Sequence, residues 1–200
     1  MKNMSFSITT GPIRENIIFL DIDGVLNGYN KWNILGWKLV CLTKNNRLKN
    51  WYKKIVNPCG IHKRKVKRLA KIVKATYAKV VMSSSWRFGW WNTPYDKQFE
   101  DQKKLTDLLN KYHIEVIDIT PHLSDGDRGK EILQWLALNE DKVLRFVILD
   151  DEQYNLDCFI NSNLVLTSST KKGQPNIGFI KKETGLKSKH VKKAIEILRK

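Results

Sequence analysis

Four acidic residues of this 200-residue chain form two pairs, and each pair follows a short apolar run. Asp21 and Asp23 follow the run IIFL, and Asp150 and Asp151 follow the run FVIL. Neighbouring carboxylates resist joint ionisation, because each charge raises the pKa of the other. A divalent cation with oxygen ligands removes that conflict, and Mg²⁺ is commonly bound by one or two carboxylates together with substrate phosphate. The pairs therefore predict a magnesium site for phosphate chemistry.

Two other interpretations of these acids fit the sequence less well. A calcium-binding loop that starts at Asp21 needs an acid or amide at its fifth position and Gly at its sixth, where this chain has Val25 and Leu26. The second alternative is that the acids only end strands. A single Asp at a strand end is common, but a pair of acids after each of two apolar runs is not. The metal-site hypothesis is therefore preferred.

Five apolar stretches predict strands, and a run without alternation such as 17–20 indicates a strand that is buried on both faces, as in a parallel sheet. The five stretches lie at 17–20, 80–82, 114–119, 146–149 and 164–166. Amphipathic stripes typical of helices separate them or follow them, near Val66, Leu105, Ile132 and Val191. The alternation predicts an α/β fold, a three-layer αβα sandwich with a central parallel sheet. Ligands of such sheets bind beyond the carboxyl ends of the strands, where both acid pairs are expected.

The length suits one domain, and we expect residues 1–200 to form it. Residues 25–62 break the alternation and are rich in Asn, Lys and Trp, which predicts a small cap-like insertion after the first strand. Residues 168–187 form a second irregular stretch. The chain has neither an apolar run long enough to span a membrane nor the apolar core of a secretory signal near its start. We therefore expect a cytoplasmic protein that does not contact the membrane.

The motifs resemble those of the haloacid dehalogenase (HAD) superfamily, in the same order and over most of the chain. Residues 17–26, IIFLDIDGVL, are similar to its first motif, and the strand that ends at Ser83 is similar to its second. Lys130, near a helix start, is similar to the third motif, and Asp150 with Asp151 is similar to the fourth. The resemblance implies a Rossmann-like fold and a phosphatase, because an Asp at the second acidic position of the first motif marks the phosphatases.

The resemblance also implies a catalytic role for each matching residue. Asp21 attacks phosphorus and becomes an aspartyl-phosphate. Asp23 protonates the leaving oxygen and then takes a proton from the water that hydrolyses the intermediate. Ser83 donates a hydrogen bond to the phosphoryl oxygens, and Lys130 neutralises their charge. Two assignments stay open, because adjacent Ser84 can replace Ser83, and Arg128 can replace or assist Lys130.

The cofactor implied by the resemblance is Mg²⁺. Asp150 holds it together with Asp21 and the backbone carbonyl of Asp23, and Asp151 supports it through water. Phosphoryl transfer depends chiefly on positioning and on charge neutralisation, which this set of residues supplies.

A narrower resemblance concerns the substrate. Residues 83–87, SSSWR, and 128–136, RGKEILQWL, are similar to the small HAD domains of bacterial and phage RNA-repair proteins and to the phosphatase domain of polynucleotide kinase-phosphatases. This resemblance implies a terminal phosphate on a polynucleotide or nucleotide, such as a 3′-phosphate or a 2′,3′-cyclic phosphate. Arg87 is predicted to contact phosphate, and Trp86 to line the entrance. The chain has no Walker loop, so any repair role is limited to the phosphatase step.

The charge distribution points to an anionic partner. Residues 1–80 hold 17 Lys and Arg against three acids, and residues 171–200 hold ten against two, whereas the middle of the chain is acidic. Basic helix faces are predicted at 63–74 and near the C-terminus, and solvation alone can explain both. Trp32, Trp37 and Trp51 lie among cations in the insertion, where they either stack on unpaired bases or form the core of the insertion.

Three functions fit the sequence. The first is a magnesium-dependent phosphatase that acts on nucleic-acid ends. The second is the same enzyme acting on nucleotides or another small phosphate. The third is a nucleic-acid-binding module with a vestigial site, which is disfavoured because every catalytic residue type is present.

Overall fold

The centre of the computed structural model is a sheet of five parallel strands. Residues 13–28, 31–56, 60–168 and 184–200 are described. The strands are β1 (Glu15–Leu20), β2 (Lys79–Met82), β3 (Val116–Ile119), β4 (Val143–Asp150) and β5 (Leu164–Leu166). Their order in the sheet is β3-β2-β1-β4-β5, and every pairing is parallel. The chain therefore crosses over between strands. Asp21 directly follows β1, Asp150 is the last residue of β4, and these two strands are neighbours.

The helices of the described residues are α1 (Lys31–Leu42), α2 (Asn46–Val56), α3 (Lys63–Thr76), α4 (Glu100–Lys111), α5 (Arg128–Leu138) and α6 (Ser188–Arg199). Helices α3 to α6 cover both faces of the sheet. One apolar cluster joins α3, α4 and α6 to one face, and a second joins α5 to the other. The predicted three-layer αβα sandwich is thus confirmed. In the described part of the chain, no helix is both long and apolar enough to cross a membrane.

The central strand β1 supplies both apolar clusters. Ile18 and Leu20 point to the layer of α3, α4 and α6, and Ile17 and Phe19 point to the layer of α5. All four are at most 1% exposed, and each fully buried side chain of this kind contributes about 1.5–3 kcal/mol. The Phe19 ring meets the Trp135 ring edge to face at 5.4 Å. Burial on both faces explains why the run shows no alternation and why β1 holds the residue after it in a fixed place.

The predicted insertion is smaller than residues 25–62. Val25, Leu26 and Ile61 are buried in the core of the sheet domain, so both ends of this range belong to the body. Between them, α1 and α2 pack against each other. The Trp51 side chain is 57% exposed, which disagrees with a core role for this residue. The side chains of Trp32 and Trp37, and residues 169–183 of the second irregular stretch, lie outside the described residues.

Candidate active site

The acid pairs meet at the carboxyl edge of the sheet. Leu20 of β1 and Leu149 of β4 are register partners, so Asp21 and Asp150, which follow them, lie at the same level of this edge. The Asp21 N–H donates to the Leu149 carbonyl at 3.0 Å. Asp21, Asp150 and Asp151 each offer one carboxylate oxygen, and these oxygens lie within 4.8 Å of one another. The parallel topology thus brings together acids that are far apart in sequence.

Burial and mutual repulsion make this cluster electrostatically costly. Burial raises the pKa of Asp21 well above its ordinary value, and the charges of Asp150 and Asp151 add to the rise, whereas Arg128 and a hydrogen bond with Ser84 oppose it. Burial, followed by the charges of Asp150 and Glu152, raises the pKa of Asp151 to about 7. Binding of a cation beside these carboxylates is therefore favourable, because it allows them to ionise together.

The donor set fits magnesium. Mg²⁺ takes oxygen ligands and binds through a small number of carboxylates, leaving positions for water and phosphate. The carboxylates of Asp21, Asp150 and Asp151 meet this requirement, and two of them are almost inaccessible, at 3% exposure for Asp21 and 0% for Asp150. The side chain of Asp23 is not part of this group.

Asp23 instead stands at the mouth of the site, with both carboxylate oxygens held. Asn27 Nδ2 donates to Asp23 Oδ1 at 2.6 Å, and Trp86 Nε1 donates to Asp23 Oδ2 at 3.0 Å. Asn27 Oδ1 in turn accepts from the Gly24 N–H at 2.7 Å. Asp23 is exposed, so its carboxyl group is accessible to a bound ligand. Asn27 is not among the residues predicted from the sequence, and Trp86 was predicted only to line the entrance.

Gly24 allows the two acid-bearing loops to touch. Its backbone has a φ of +70°, and a Cβ atom there would overlap the Asp151 carboxyl group. The Gly24 carbonyl accepts from the buried Thr167 hydroxyl at 2.8 Å, and the Thr167 N–H donates to the Asp150 carbonyl at 2.7 Å. Thr167, which the sequence analysis also overlooked, therefore fixes the two loops relative to each other.

The structure separates the roles of the two candidate serines. Both follow β2 and are fully buried. The Ser84 side chain forms a hydrogen bond with Asp21 that lowers the pKa of the acid. The Ser83 hydroxyl has no hydrogen-bond partner among the described residues. The preferred candidate of the sequence analysis, Ser83, is therefore not the serine that contacts Asp21.

Arg128, and not Lys130, reaches the carboxylates. Arg128 Nη1 lies 3.2 Å from Asp21 Oδ1 and 2.5 Å from Asp150 Oδ2. Lys130 is 61% exposed at its side chain, and its Nζ lies 2.7 Å from Asp125 Oδ2. Residues two apart on a helix point to opposite sides. Because α5 begins at Arg128, its first residue faces the sheet edge, and its third faces solvent.

The Arg87 guanidinium binds neighbouring residues of the fold and not the carboxylate cluster. Its Nη2 lies 2.8 Å from Glu131 Oε2, and its Nη1 donates to the carbonyls of Ser83 and Ser84 at 2.8 and 3.1 Å. Arg87 is 5% exposed, so its guanidinium is buried with these partners. Buried Glu131 additionally accepts from the Leu123 N–H at 3.1 Å. The Arg87–Glu131 pair thus fixes the turn after β2, and the expected phosphate contact of Arg87 is not what its geometry favours.

A comparison with family models identifies the group to which this site belongs. A model described as the HAD domain in Swiss Army Knife RNA repair proteins matches residues 17–173. The chain belongs to this family. The match contains every residue of the carboxylate cluster, together with Asp23 and Arg128, and it confirms the resemblance found in the motifs. No curated protein and no solved structure matches the chain.

Family membership indicates phosphatase-type chemistry for this HAD domain, and the carboxylate cluster offers a metal site. The arrangement can place a nucleophilic carboxylate beside a cation and an arginine. It can also present a second carboxyl group, Asp23, from the open side.

The raised pKa of Asp151 predicts a specific dependence of stability on pH. Its ordinary pKa is 3.8, and in the folded, metal-free domain it is about 7. Between these values the folded state binds more protons than the unfolded state, so the free energy of unfolding falls as pH rises. In Asp151→Asn this decline is expected to be shallower, by about 1 kcal/mol per pH unit. Denaturant unfolding in EDTA from pH 4 to 8 measures it.

The control for this prediction is Asp141→Asn, which removes an exposed carboxylate. Its pH profile is expected to follow that of the unmodified domain. Equal slopes for Asp151→Asn and the unmodified domain would show that Asp151 does not carry a raised pKa.

Proposed function

We propose that this HAD domain is a magnesium-dependent phosphatase that hydrolyses a terminal phosphate of a polynucleotide through an aspartyl-phosphate on Asp21. The observation that carries the proposal is the placement of the two Asp residues of the first motif. Asp21 is buried between the carboxylates and Arg128, whereas Asp23 is exposed with both oxygens oriented. This arrangement supports attack by Asp21 and proton transfer by Asp23.

In the first step, Asp21 Oδ attacks phosphorus as the ester P–O bond breaks. Asp21 must be ionised to act, although burial raises its pKa. Arg128 and the Ser84 hydroxyl both favour the ionised form. Arg128, whose Nη1 lies 3.2 Å from Asp21 Oδ1, is also the cation proposed to neutralise the phosphoryl oxygens. Asp21, Asp150 and Asp151 would hold magnesium, which when bound would supply further neutralisation of these negative charges.

Asp23 handles the proton in both steps. Its carboxylic acid protonates the leaving oxygen as the aspartyl-phosphate forms, and its carboxylate then takes a proton from the water that attacks phosphorus. Inorganic phosphate leaves and Asp21 is regenerated. The hydrogen bonds from Asn27 and Trp86 hold the Asp23 carboxyl group in place during this exchange. They leave a lone pair on each oxygen available for the substrate.

A polynucleotide end is the substrate that the molecule favours. The family description refers to RNA repair, and the net charge of +16 attracts a polyanion. Among its described residues the insertion contributes the helices α1 and α2, and a small cap suits the entry of a polymer end. A 3′-phosphate is the most direct candidate, since it is a monoester that ends a chain.

A substrate panel tests this proposal. Phosphate release is measured from 3′- and 5′-phosphorylated oligoribonucleotides and from 3′-UMP, with Mg²⁺ and with EDTA. We expect the 3′-phosphorylated oligonucleotide to have the highest kcat/KM, and EDTA to reduce it by about 10²-fold or more, because the metal contributes several kcal/mol to the transition state. Adding Mg²⁺ back serves as the control.

Other outcomes of the panel assign other functions. Release that is unaffected by EDTA would exclude the magnesium mechanism. A higher kcat/KM for 3′-UMP would make the domain a nucleotidase. Oligonucleotide binding without any release would leave a binding module with an inactive site.

A further inference from the structure

A basic cleft lies between the N-terminal ends of α3 and α6, outside the carboxylate cluster. Its volume is about 470 Å³. Among the described residues that line it there is no carboxylate, and six of them carry a cationic or imidazole side chain: His62, Arg64, Lys65, Arg68, Lys187 and Lys189. The two basic faces that the sequence predicted separately thus meet in one concave surface.

The two helix ends add to this positive charge. The first N–H groups of a helix have no partner within it, and the helix dipole places partial positive charge there. Acidic side chains normally occupy such positions, but the first turns of α3 and α6 contain none. Arg64 and Lys189 stand there instead. A cation at a helix N-terminus costs stability, so its presence at both ends is better explained by a bound anion than by folding.

The floor of the cleft is fixed by contacts to backbone carbonyls. Lys65 Nζ donates to the Asn27 carbonyl and lies 3.2 Å from that of Gly28 and 3.4 Å from that of Thr184. Arg68 Nη1 donates to the Leu186 carbonyl at 2.7 Å. These contacts hold three separate segments of chain together. The cleft is therefore organised before any ligand arrives.

The pKa values of two histidines are lowered by burial and by the positive charges in and beside the cleft. Burial, followed by the charges of Lys189 and Lys187, lowers the pKa of His190 to about 4. Burial, followed by the charge of Lys65, also lowers the pKa of His62. Both imidazoles are therefore neutral at pH 7, and the charge of the cleft comes from its lysines and arginines.

The cleft adjoins the candidate active site. The Asn27 carbonyl binds Lys65 of the cleft floor, while the Asn27 side chain donates to Asp23. On the other side, a Cβ at Gly28 would lie 3.5 Å from the Gly24 Cα, and Gly24 packs against Asp151. One short turn therefore separates the cleft from the carboxylates.

We propose that the cleft between α3 and α6 binds the phosphodiester backbone of a single-stranded oligonucleotide whose terminal phosphate reaches Asp21, an inference that rests on the proposed function. A mononucleotide has no second phosphate to place there, whereas every longer strand has one. The cleft therefore favours polymer over monomer. Charge-assisted hydrogen bonds from Arg and Lys to phosphate provide the affinity without reading bases.

The test compares two double variants with the same change in charge. Arg64→Glu/Lys189→Glu reverses two exposed cations at the cleft, and Lys71→Glu/Lys192→Glu reverses two exposed cations elsewhere on α3 and α6. Acids in a first helical turn favour the helix, so the cleft variant is expected to fold. Circular dichroism and thermal unfolding of both variants verify this.

Binding is measured first with a strand that is not a substrate. The probe is a fluorescein-labelled oligouridylate of about ten nucleotides with a 3′-hydroxyl, long enough to extend beyond a single site. Its anisotropy is titrated at several salt concentrations. The cleft variant is expected to bind at least about tenfold more weakly, and its slope of log affinity against log salt is expected to be smaller by about 1.4, for two lost phosphate contacts. The Lys71→Glu/Lys192→Glu variant is expected to lose distinctly less affinity for the probe.

Kinetics then separate the cleft from the active site. The cleft variant is expected to raise KM for the 3′-phosphorylated oligonucleotide and to leave kcat/KM for 3′-UMP unchanged. Equal affinity of the two double variants for the probe would contradict the proposed role of the cleft. An equal loss of kcat/KM on the oligonucleotide and on 3′-UMP would also contradict it. If the unmodified domain releases no phosphate from any substrate, the proposed function fails, while the binding comparison still decides whether the cleft holds a strand.

Discussion

Asp21→Asn is expected to reduce phosphate release from a 3′-phosphorylated oligonucleotide by at least about 10³-fold, because removal of a nucleophile leaves only the contribution of binding and charge. The amide has nearly the shape of the carboxylate but cannot form the aspartyl-phosphate. Steady-state release in Mg²⁺ measures the loss. Acid-quenched protein mixed with a ³²P-labelled substrate is expected to carry label in the unmodified domain and none in the variant.

Stability distinguishes lost chemistry from lost fold in this experiment. Asp21 is 3% exposed, and burial raises its pKa, so its ionised form costs free energy in the metal-free domain. The neutral amide removes that cost, and Asp150 remains as a partner for Arg128. The variant is therefore expected to unfold at the same temperature as the unmodified domain, or higher, in EDTA. Retained turnover in Asp21→Asn would remove Asp21 as the nucleophile.

The sheet and the carboxylate cluster could be predicted from the sequence because each depends on a local pattern. An apolar run without alternation is buried on both faces, and parallel strands present their carboxyl ends at one edge. Asp21 and Asp150 each directly follow such a run. Their meeting required only that β1 and β4 be close in the sheet, and they are neighbours.

The third-motif cation could not be predicted in the same way. Arg128 and Lys130 are two residues apart, so a shift of helix start exchanges the side that faces the sheet. Asp125 and Asp127 both precede this helix, and Asp is a common residue at a helix N-cap. The structure uses Asp127, whose side chain accepts from the Lys130 N–H at 3.1 Å, and α5 begins at Arg128. The residue at which α5 begins therefore decides which cation contacts the carboxylates.

Other parts of the site depend on partners far away in sequence. Arg87 is buried because Glu131 offers it a carboxylate, and Trp86 is oriented because Asp23 accepts its N–H. Neither pairing follows from any spacing in the chain. The basic cleft is similar, since α3 and α6 show their cations in separate segments and only packing places their first turns together.

The matched pair Arg128→Gln and Lys130→Gln tests which cation acts on phosphate. Arg128→Gln is expected to lower kcat/KM for a 3′-phosphorylated oligonucleotide by about 10²–10³-fold, as for the loss of one preorganised donor to a transition-state oxygen. Burial lowers the pKa of Arg128, but the charges of Asp21 and Asp150 raise it by more, so the guanidinium stays ionised. Glutamine keeps a polar side chain of moderate length but loses this charge.

Lys130→Gln is expected to change kcat/KM by no more than about twofold, since an exposed ion pair adds little to stability and its loss leaves the site untouched. Lys130 contacts Asp125 and Asp127 and not the carboxylate cluster. The two variants remove the same charge from the same helix, so a difference between them comes from position alone. A large loss in Lys130→Gln with little change in Arg128→Gln would require Lys130 to turn inward when substrate binds, and would return the third-motif role to the lysine.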